Sequence, residues 1–184
     1  MTTQRRRRSS QRVGRISDQW LQYVRGRVTL SAANTFTEVT INLPVVVSTG
    51  LVIEAHLVEF DYPLIVPSAD LGDTDDTMTL EIQLTKASQT TMLRNDNPDL
   101  IYGVVRQFMT PNARTAEQAP VLMHHKAGEL NWQFPEPILL PFAQIFLGAN
   151  TTNVATAPTF TVRIGYKTVQ LSTRQLPELL QAVT

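Results

Sequence analysis

Apolar and polar residues alternate along most of this chain, which is the pattern of β-strands with one buried face. The clearest example is residues 78–85, where every second position from Met78 to Leu84 is apolar and the positions between them are polar. Residues 51–62 form a longer run, largely β-branched and aromatic, which predicts a central strand. Further strands are predicted at residues 27–31, 36–43, 100–109, 121–126, 130–134, 138–140 and 159–171.

Helical signals occur only near the two ends of the chain. Residues 16–27 are expected to form a short helix or hinge, because the apolar side chains at their start fall on one side of a helix. Residues 172–183 predict a closing helix, since Ser172 or Thr173 can accept hydrogen bonds from its first free amides. Polar connections rich in Pro and Asn separate the strands, at residues 68–76, 95–99, 111–120 and 148–158. Together these features predict an all-β fold, an antiparallel jelly-roll sandwich or barrel of about 8–10 strands.

The length of 184 residues is enough for one well-buried domain, which is predicted to occupy residues 28–184 and to end in the closing helix. No apolar stretch approaches the roughly 20 residues that a membrane-spanning helix needs, so no membrane partner is expected. The chain contains no cysteine, which excludes disulfides, thiolate metal ligands and a cysteine nucleophile.

Positive charge is concentrated at the N-terminus. Residues 1–27 hold eight arginines and one acid, a net charge of +7, whereas residues 28–184 hold eight basic and fifteen acidic residues, a net charge of −7. We call residues 1–15 the arginine arm and expect it to be disordered. Its six cationic residues are Arg5, Arg6, Arg7, Arg8, Arg12 and Arg15. A basic tail on an acidic body indicates a polyanionic partner.

The arginine arm is predicted to bind nucleic acid. Guanidinium groups stay charged at any biological pH and can grip phosphate oxygens through two parallel bonds, so binding needs neither a fold nor a base sequence. Within the arm no aromatic residue alternates with the arginines, which favours binding without sequence preference. A nuclear-localisation signal, a tether to anionic membranes and an incidental tail are the alternatives.

Two further clusters resemble sites. Asp70, Asp73, Asp75 and Asp76 form a candidate calcium site, although they lack the EF-hand spacing, and a solvated acidic loop is the alternative. His124 and His125 are adjacent in a predicted strand and so point to opposite faces, which disfavours a shared zinc ion even with Glu129 nearby. The remaining histidine, His56, lies within a strand pattern and is expected to be a packed or surface side chain.

No motif of catalysis is present in the sequence. A nucleophile elbow, a glycine-rich phosphate loop and a metalloprotease histidine pair are all missing. We therefore expect a protein without enzymatic activity and without an obligatory cofactor. An enzyme with an electrostatic tether, acting on sugars through paired carboxylates, is a further alternative, but no specific pair stands out.

The arginines from Arg5 to Arg15, followed by the strand series from Val28 to Leu171, resemble the capsid proteins of small icosahedral viruses with single jelly-roll subunits. The resemblance is one of layout and spans the whole chain. It implies a coat protein that self-assembles into an icosahedral shell, a large homo-oligomer, while the arginine arms bind a packaged RNA or DNA genome. The implied location is the virion, and the host cell during assembly. In such a shell the four aspartates would bind calcium at a subunit boundary.

Two other classes share parts of this pattern. A cellular nucleic-acid-binding β-barrel module without sequence preference would carry a basic surface with aromatic residues on the folded body itself. A lattice protein of a membrane-containing virus would share the β fold and would place lipid against the arm. The body's net charge of −7 disfavours the cellular module.

Overall fold

A computed structural model describes residues 21–45, 49–62, 77–109, 123–127 and 130–172, together with Gln175, Pro177 and Gln181. Nine strands lie in this part of the chain. Their bounds are Gln22–Thr29 (β1), Thr37–Asn42 (β2), Leu51–Asp61 (β3), Thr77–Thr85 (β4), Leu100–Met109 (β5), Met123–Ala127 (β6), Asn131–Leu140 (β7), Gln144–Thr152 (β8) and Thr159–Gln170 (β9). The described residues contain no helix long and apolar enough to span a bilayer.

The strands form two sheets in which every pair is antiparallel. The first sheet has the order β1-β9-β3-β7, and the second has the order β2-β8-β4-β5-β6. The pairs are nested along the chain: β1 pairs with β9, β2 with β8, β3 with β7 and β4 with β5. The predicted all-β antiparallel sandwich is therefore confirmed, and nine strands fall within the predicted number.

The core lies between the two sheets and is built from alternate residues of each strand. In β4, Met78, Leu80, Ile82 and Leu84 are all buried, as the alternation predicted. The facing side chains of the first sheet include Phe160, Val162 and Ile164 of β9. Burial of these apolar faces supplies most of the free energy that holds the sheets together.

Aromatic rings join the sheets near the β7 edge. Tyr102 of β5 stacks on Phe60 of β3, with ring centroids 5.9 Å apart, and on Trp132 of β7, at 5.7 Å. Phe134 of β7 meets the same tyrosine edge to face at 6.2 Å. Because Tyr102 belongs to the second sheet and its three partners to the first, this cluster fixes the two sheets against each other.

The connection between β4 and β5, residues 86–99, lies over the outward face of the second sheet. Gln83 is only 1% exposed there. Its Nε2 donates to the Thr91 carbonyl oxygen at 3.1 Å, and the Leu93 amide donates to its Oε1 at 2.7 Å. Glu38 of β2 accepts from the Ser88 hydroxyl at 2.6 Å and from the Gln89 amide at 2.8 Å. The connection is thus hydrogen-bonded to two strands, and it buries polar positions that alternation alone assigns to solvent.

The N-terminal boundary of the domain differs from the prediction. Strand β1 starts at Gln22, so residues 22–27 belong to the sheet and not to a helix or hinge, and the folded domain begins before residue 28. The prediction failed because Gly26 occupies an inward position and leaves a gap in the apolar alternation. An added Cβ there would lie 2.3 Å from Ile41 Cδ1 and 3.0 Å from Val162 Cγ1, so only glycine fits without movement of the core.

Gly26→Ala is expected to lower the free energy of unfolding by about 1–3 kcal/mol, because the added methyl group overpacks a filled core. Gly103→Ala is the matched control, since a Cβ on this strand glycine would meet its nearest atoms at 3.6 Å. That variant is expected to change stability by less than about 1 kcal/mol. Urea unfolding followed by tryptophan fluorescence compares the two, and equal midpoints would contradict the packing account.

The second half of the chain holds two further corrections. Residues 148–152, predicted to be part of a connection, form the end of β8, where Gly148, Ala149 and Asn150 have low strand propensity but lie beside β4. The separate strands predicted at 130–134 and 138–140 form one strand, β7. Its Pro135 and Pro137 are exposed, and β7 lies at the edge of the first sheet where β3 shifts register, so no central ladder bond is lost.

The predicted closing helix, 172–183, falls mostly outside the described residues. Its predicted cap is present: the Gln175 amide donates to Ser172 Oγ at 3.3 Å, and the Ser172 amide donates to Gln175 Oε1 at 3.2 Å. This reciprocal pair of bonds is a capping box, which stabilises the start of a helix.

Candidate nucleic-acid interface

Most of the predicted site residues lie outside the described part of the chain. This holds for the six arginines of the arm, Arg5, Arg6, Arg7, Arg8, Arg12 and Arg15, and for the calcium candidates Asp70, Asp73, Asp75 and Asp76. Both assignments therefore stay predictions. Among the residues that the structure does describe, no group of three potential metal ligands comes together.

The histidines take the places expected from the sequence. His124 and His125 lie in β6, where they pair with Phe108 and Gln107 of β5. His56 is half-buried at the bulge of β3, and its Nε2 lies 3.8 Å from Glu54 Oε1. That nitrogen is buried without a hydrogen-bond partner among the described residues. The contact is too long for a hydrogen bond, so His56 is a packed side chain of the strand, as predicted.

A row of polar side chains crosses the outward face of the first sheet. The strand register places Arg25 of β1 opposite Arg163 of β9, and Arg163 opposite Glu59 of β3. One step along, Arg27 lies opposite Thr161, which lies opposite Asp61. Directly opposite side chains in such pairs are about 5 Å apart, so three guanidinium groups share this face.

These polar side chains line an open trough of about 760 Å³ that extends across all four strands of the first sheet. Its polar side chains are Arg25, Arg27, Glu59, Asp61, Asn131, Thr161 and Arg163. The trough carries both charges, with the arginines of β1 on one side and the acids of β3 towards the other. A ligand with negative groups would therefore bind along β1 and not across the centre of the sheet.

Arg163 is held by two neighbours. Its Nε donates to Glu59 Oε2, and its Cζ lies 4.8 Å from the centroid of the Tyr23 ring. The hydrogen bond to the Glu59 carboxylate raises the pKa of Arg163 above its ordinary value. Glu59 offsets the positive charge of Arg163, and the guanidinium group of Arg163 makes a cation–π contact with the Tyr23 ring.

Tyr23, Arg25 and Arg27 form an exposed row along β1, which we call the β1 row. Tyr23 is 46% exposed, the one large hydrophobic side chain so open to solvent among the described residues. Its ring lies against Gly165, whose missing side chain makes room for it: an added Cβ would be 3.1 Å from Tyr23 Cε1. Arg25 and Arg27 are exposed and form no ion pair with any described side chain.

Sequence reasoning did not single out the β1 row. Tyr23, Arg25 and Arg27 alternate with Val24, Gly26 and Val28, which is a two-residue period, but the apolar residues at the start of 16–27 predict a helix or hinge there. The pairing with Arg163 and Glu59 joins residues far apart in sequence and gives no local signal. An assignment of β1 from Gln22 would have placed the three side chains on one face.

In comparisons with known proteins, no protein-family model and no curated protein matches this chain.

Proposed function

We propose that the chain is a structural coat protein with a jelly-roll fold, which self-assembles into an icosahedral viral shell and binds the packaged nucleic acid through its arginine arm. The observation that carries the proposal is the nested order of the strand pairs. In a jelly roll a long antiparallel hairpin wraps into two facing sheets. The pairs β1 with β9, β2 with β8, β3 with β7 and β4 with β5 follow this scheme, and β6 extends the second sheet.

The charge distribution supports the second half of the proposal. With β1 starting at Gln22, residues 1–21 carry six arginines and one acid, and residues 22–184 carry ten basic and fifteen acidic residues. Arms of like charge repel one another when subunits come together, and nucleic acid removes this repulsion. Assembly of the shell is therefore coupled to packaging, and the protein acts as a structural component without catalytic turnover.

Light scattering on the purified full chain tests this function, with and without single-stranded nucleic acid. Uniform particles of megadalton mass, whose formation depends on nucleic acid, are the expected result. A variant with glutamine at the six arginine positions of the arm serves as the comparison, and it should form such particles poorly or without nucleic acid inside. A stable monomer under all conditions would contradict the shell.

A cellular nucleic-acid-binding β module is the second candidate. The β1 row favours it, because a basic surface with an exposed aromatic residue on the folded body is the feature expected of such a module. The same light-scattering experiment separates the two functions. The module would bind nucleic acid as a monomer or small oligomer in a fixed ratio and would form no closed particle.

A further inference from the structure

From the outward face of the first sheet, we propose that the β1 row is a second contact site for single-stranded nucleic acid, in which Arg25 and Arg27 bind neighbouring phosphates and a base stacks on Tyr23. The inference rests on the proposed binding of nucleic acid. It adds to that function a nucleic-acid site on the folded domain, with a role for each of the three side chains.

The spacing within the β1 row fits an extended strand of nucleic acid. Arg25 and Arg27 lie two residues apart on one strand, so they point to the same side about 7 Å from each other. Both are exposed and neither is paired with a described acid. They are therefore free to contact successive phosphate groups without first breaking an ion pair.

Tyr23 adds a contact to the base that phosphate binding alone does not supply. It precedes Arg25 by two residues, so it lies on the same face, and nearly half of its side chain is open to solvent. Arg163, which is hydrogen-bonded to Glu59, lies against the ring and favours its orientation before any ligand binds. A preorganised aromatic ring beside unpaired arginines is the arrangement that stacks bases while their phosphates are held.

The position of β1 makes the row continuous with the arm. β1 is an edge strand of the first sheet, and the residues just before Gln22 connect it to the arginines at positions 5–15. A strand of nucleic acid bound by the arm is thereby kept at a high local concentration next to Tyr23. This proximity, together with the positive side of the trough, favours nucleic acid over an unrelated anionic surface.

Binding of a labelled oligothymidylate to the full chain, followed by fluorescence anisotropy over a range of salt concentrations, tests the two arginines. In the double variant Arg25→Gln and Arg27→Gln, the slope of log affinity against log salt is expected to become shallower by about 1.4, because each lost phosphate contact contributes roughly 0.7. Arg94→Gln is the matched control, since Arg94 is an exposed arginine on the connection over the second sheet. An unchanged slope in the double variant would overturn the site.

Tyr23→Leu tests the stacked base. Affinity is expected to fall about tenfold at fixed salt with the slope unchanged, since stacking of one base is neutral in charge. An abasic oligonucleotide, which keeps the phosphates, should bind the variant and the natural chain equally. Equal loss on both ligands would contradict stacking. A loss of binding to phosphatidylserine vesicles alone, with oligonucleotide binding unchanged, would assign the row to lipid.

Photochemical crosslinking keeps the inference testable if a variant folds poorly. The natural full chain is crosslinked to an oligonucleotide carrying 5-iodouracil, and the attachment site is located by mass spectrometry. A crosslink at Tyr23 supports the site, and crosslinks confined to residues 1–20 overturn it. In the latter case, binding that still depends on the arm's arginines leaves the proposed function intact. Failure of the natural chain to bind any oligonucleotide would overturn both.

Discussion

Replacing the six arginines of the arm with glutamine is expected to remove most of the salt dependence of nucleic-acid binding. The natural chain has six arm contacts, by Arg5, Arg6, Arg7, Arg8, Arg12 and Arg15, and two proposed contacts by Arg25 and Arg27. Eight phosphate contacts predict a slope of about −5.6 on single strands, so affinity should fall roughly 2,400-fold between 50 and 200 mM salt. With only Arg25 and Arg27 left to bind phosphate, the slope should be about −1.4, and the same change in salt should cost roughly sevenfold.

A variant with lysine at the same six positions is the control for charge. It keeps every positive charge, so its slope should match that of the natural chain. Its affinity at one salt concentration should be lower, because an ammonium group cannot form the paired bonds that a guanidinium makes with phosphate. If the glutamine variant kept the slope of the natural chain, the arm would not be the source of binding, and a nuclear-localisation signal or an incidental tail would be the better explanation.

The strands that could be predicted from the sequence are those with an uninterrupted pattern. In β4 every inward position from Met78 to Leu84 is apolar, so its face and its bounds agree with the prediction. β9 follows the same period, and β3 is predicted by its long run of β-branched and aromatic residues; both strands are central in the first sheet. A strand that is covered on one face by a core needs little more than this period to be recognised.

The full extent of other elements could not be predicted, because part of their local sequence carries no clear period. In β1 the inward Gly26 interrupts the pattern, and in β8 the run from Gly148 to Asn150 lacks strand-forming side chains. Both strands are held by their neighbours, β9 for the first and β2 and β4 for the second. Tertiary pairing therefore overrides local propensity at these positions.

The candidate nucleic-acid interface also has one part that the sequence reveals and one part that only the fold creates. The charge of the arm is visible in the sequence because it is local, but the β1 row depends on Arg163 and Glu59, which join it only when β9 lies between β1 and β3. Gln83 is a second example of a polar residue whose surroundings depend on distant contacts. The alternation within β4 predicts that Gln83 faces solvent, but the connection 86–99 buries it. Contacts between distant segments decide which polar residues are free to bind a ligand.

Assembly also requires a stable domain, and the position with the most to lose is Phe160. This side chain is 1% exposed and is the largest of the fully buried ones among the described residues. Phe160→Ala is expected to lower the free energy of unfolding by about 3–5 kcal/mol, because it removes apolar contacts and leaves a cavity in the core between the sheets. Urea unfolding measures this loss, and light scattering should show fewer particles, since a typical domain has only about 5–15 kcal/mol of stability.

Two variants make the measurement at Phe160 specific. Phe160→Leu keeps most of the apolar volume and should cost less than half as much as Phe160→Ala. Tyr23→Leu changes an aromatic residue that is 46% exposed, and it should change stability by about 1 kcal/mol or less, mainly through the lost contact with Arg163. The two sites should thus separate folding from binding: Phe160 variants lose both stability and particles, and the Tyr23 variant loses affinity for bases while it stays folded. Equal destabilisation at the two positions would contradict the assignment of Phe160 to the core and of Tyr23 to a free surface.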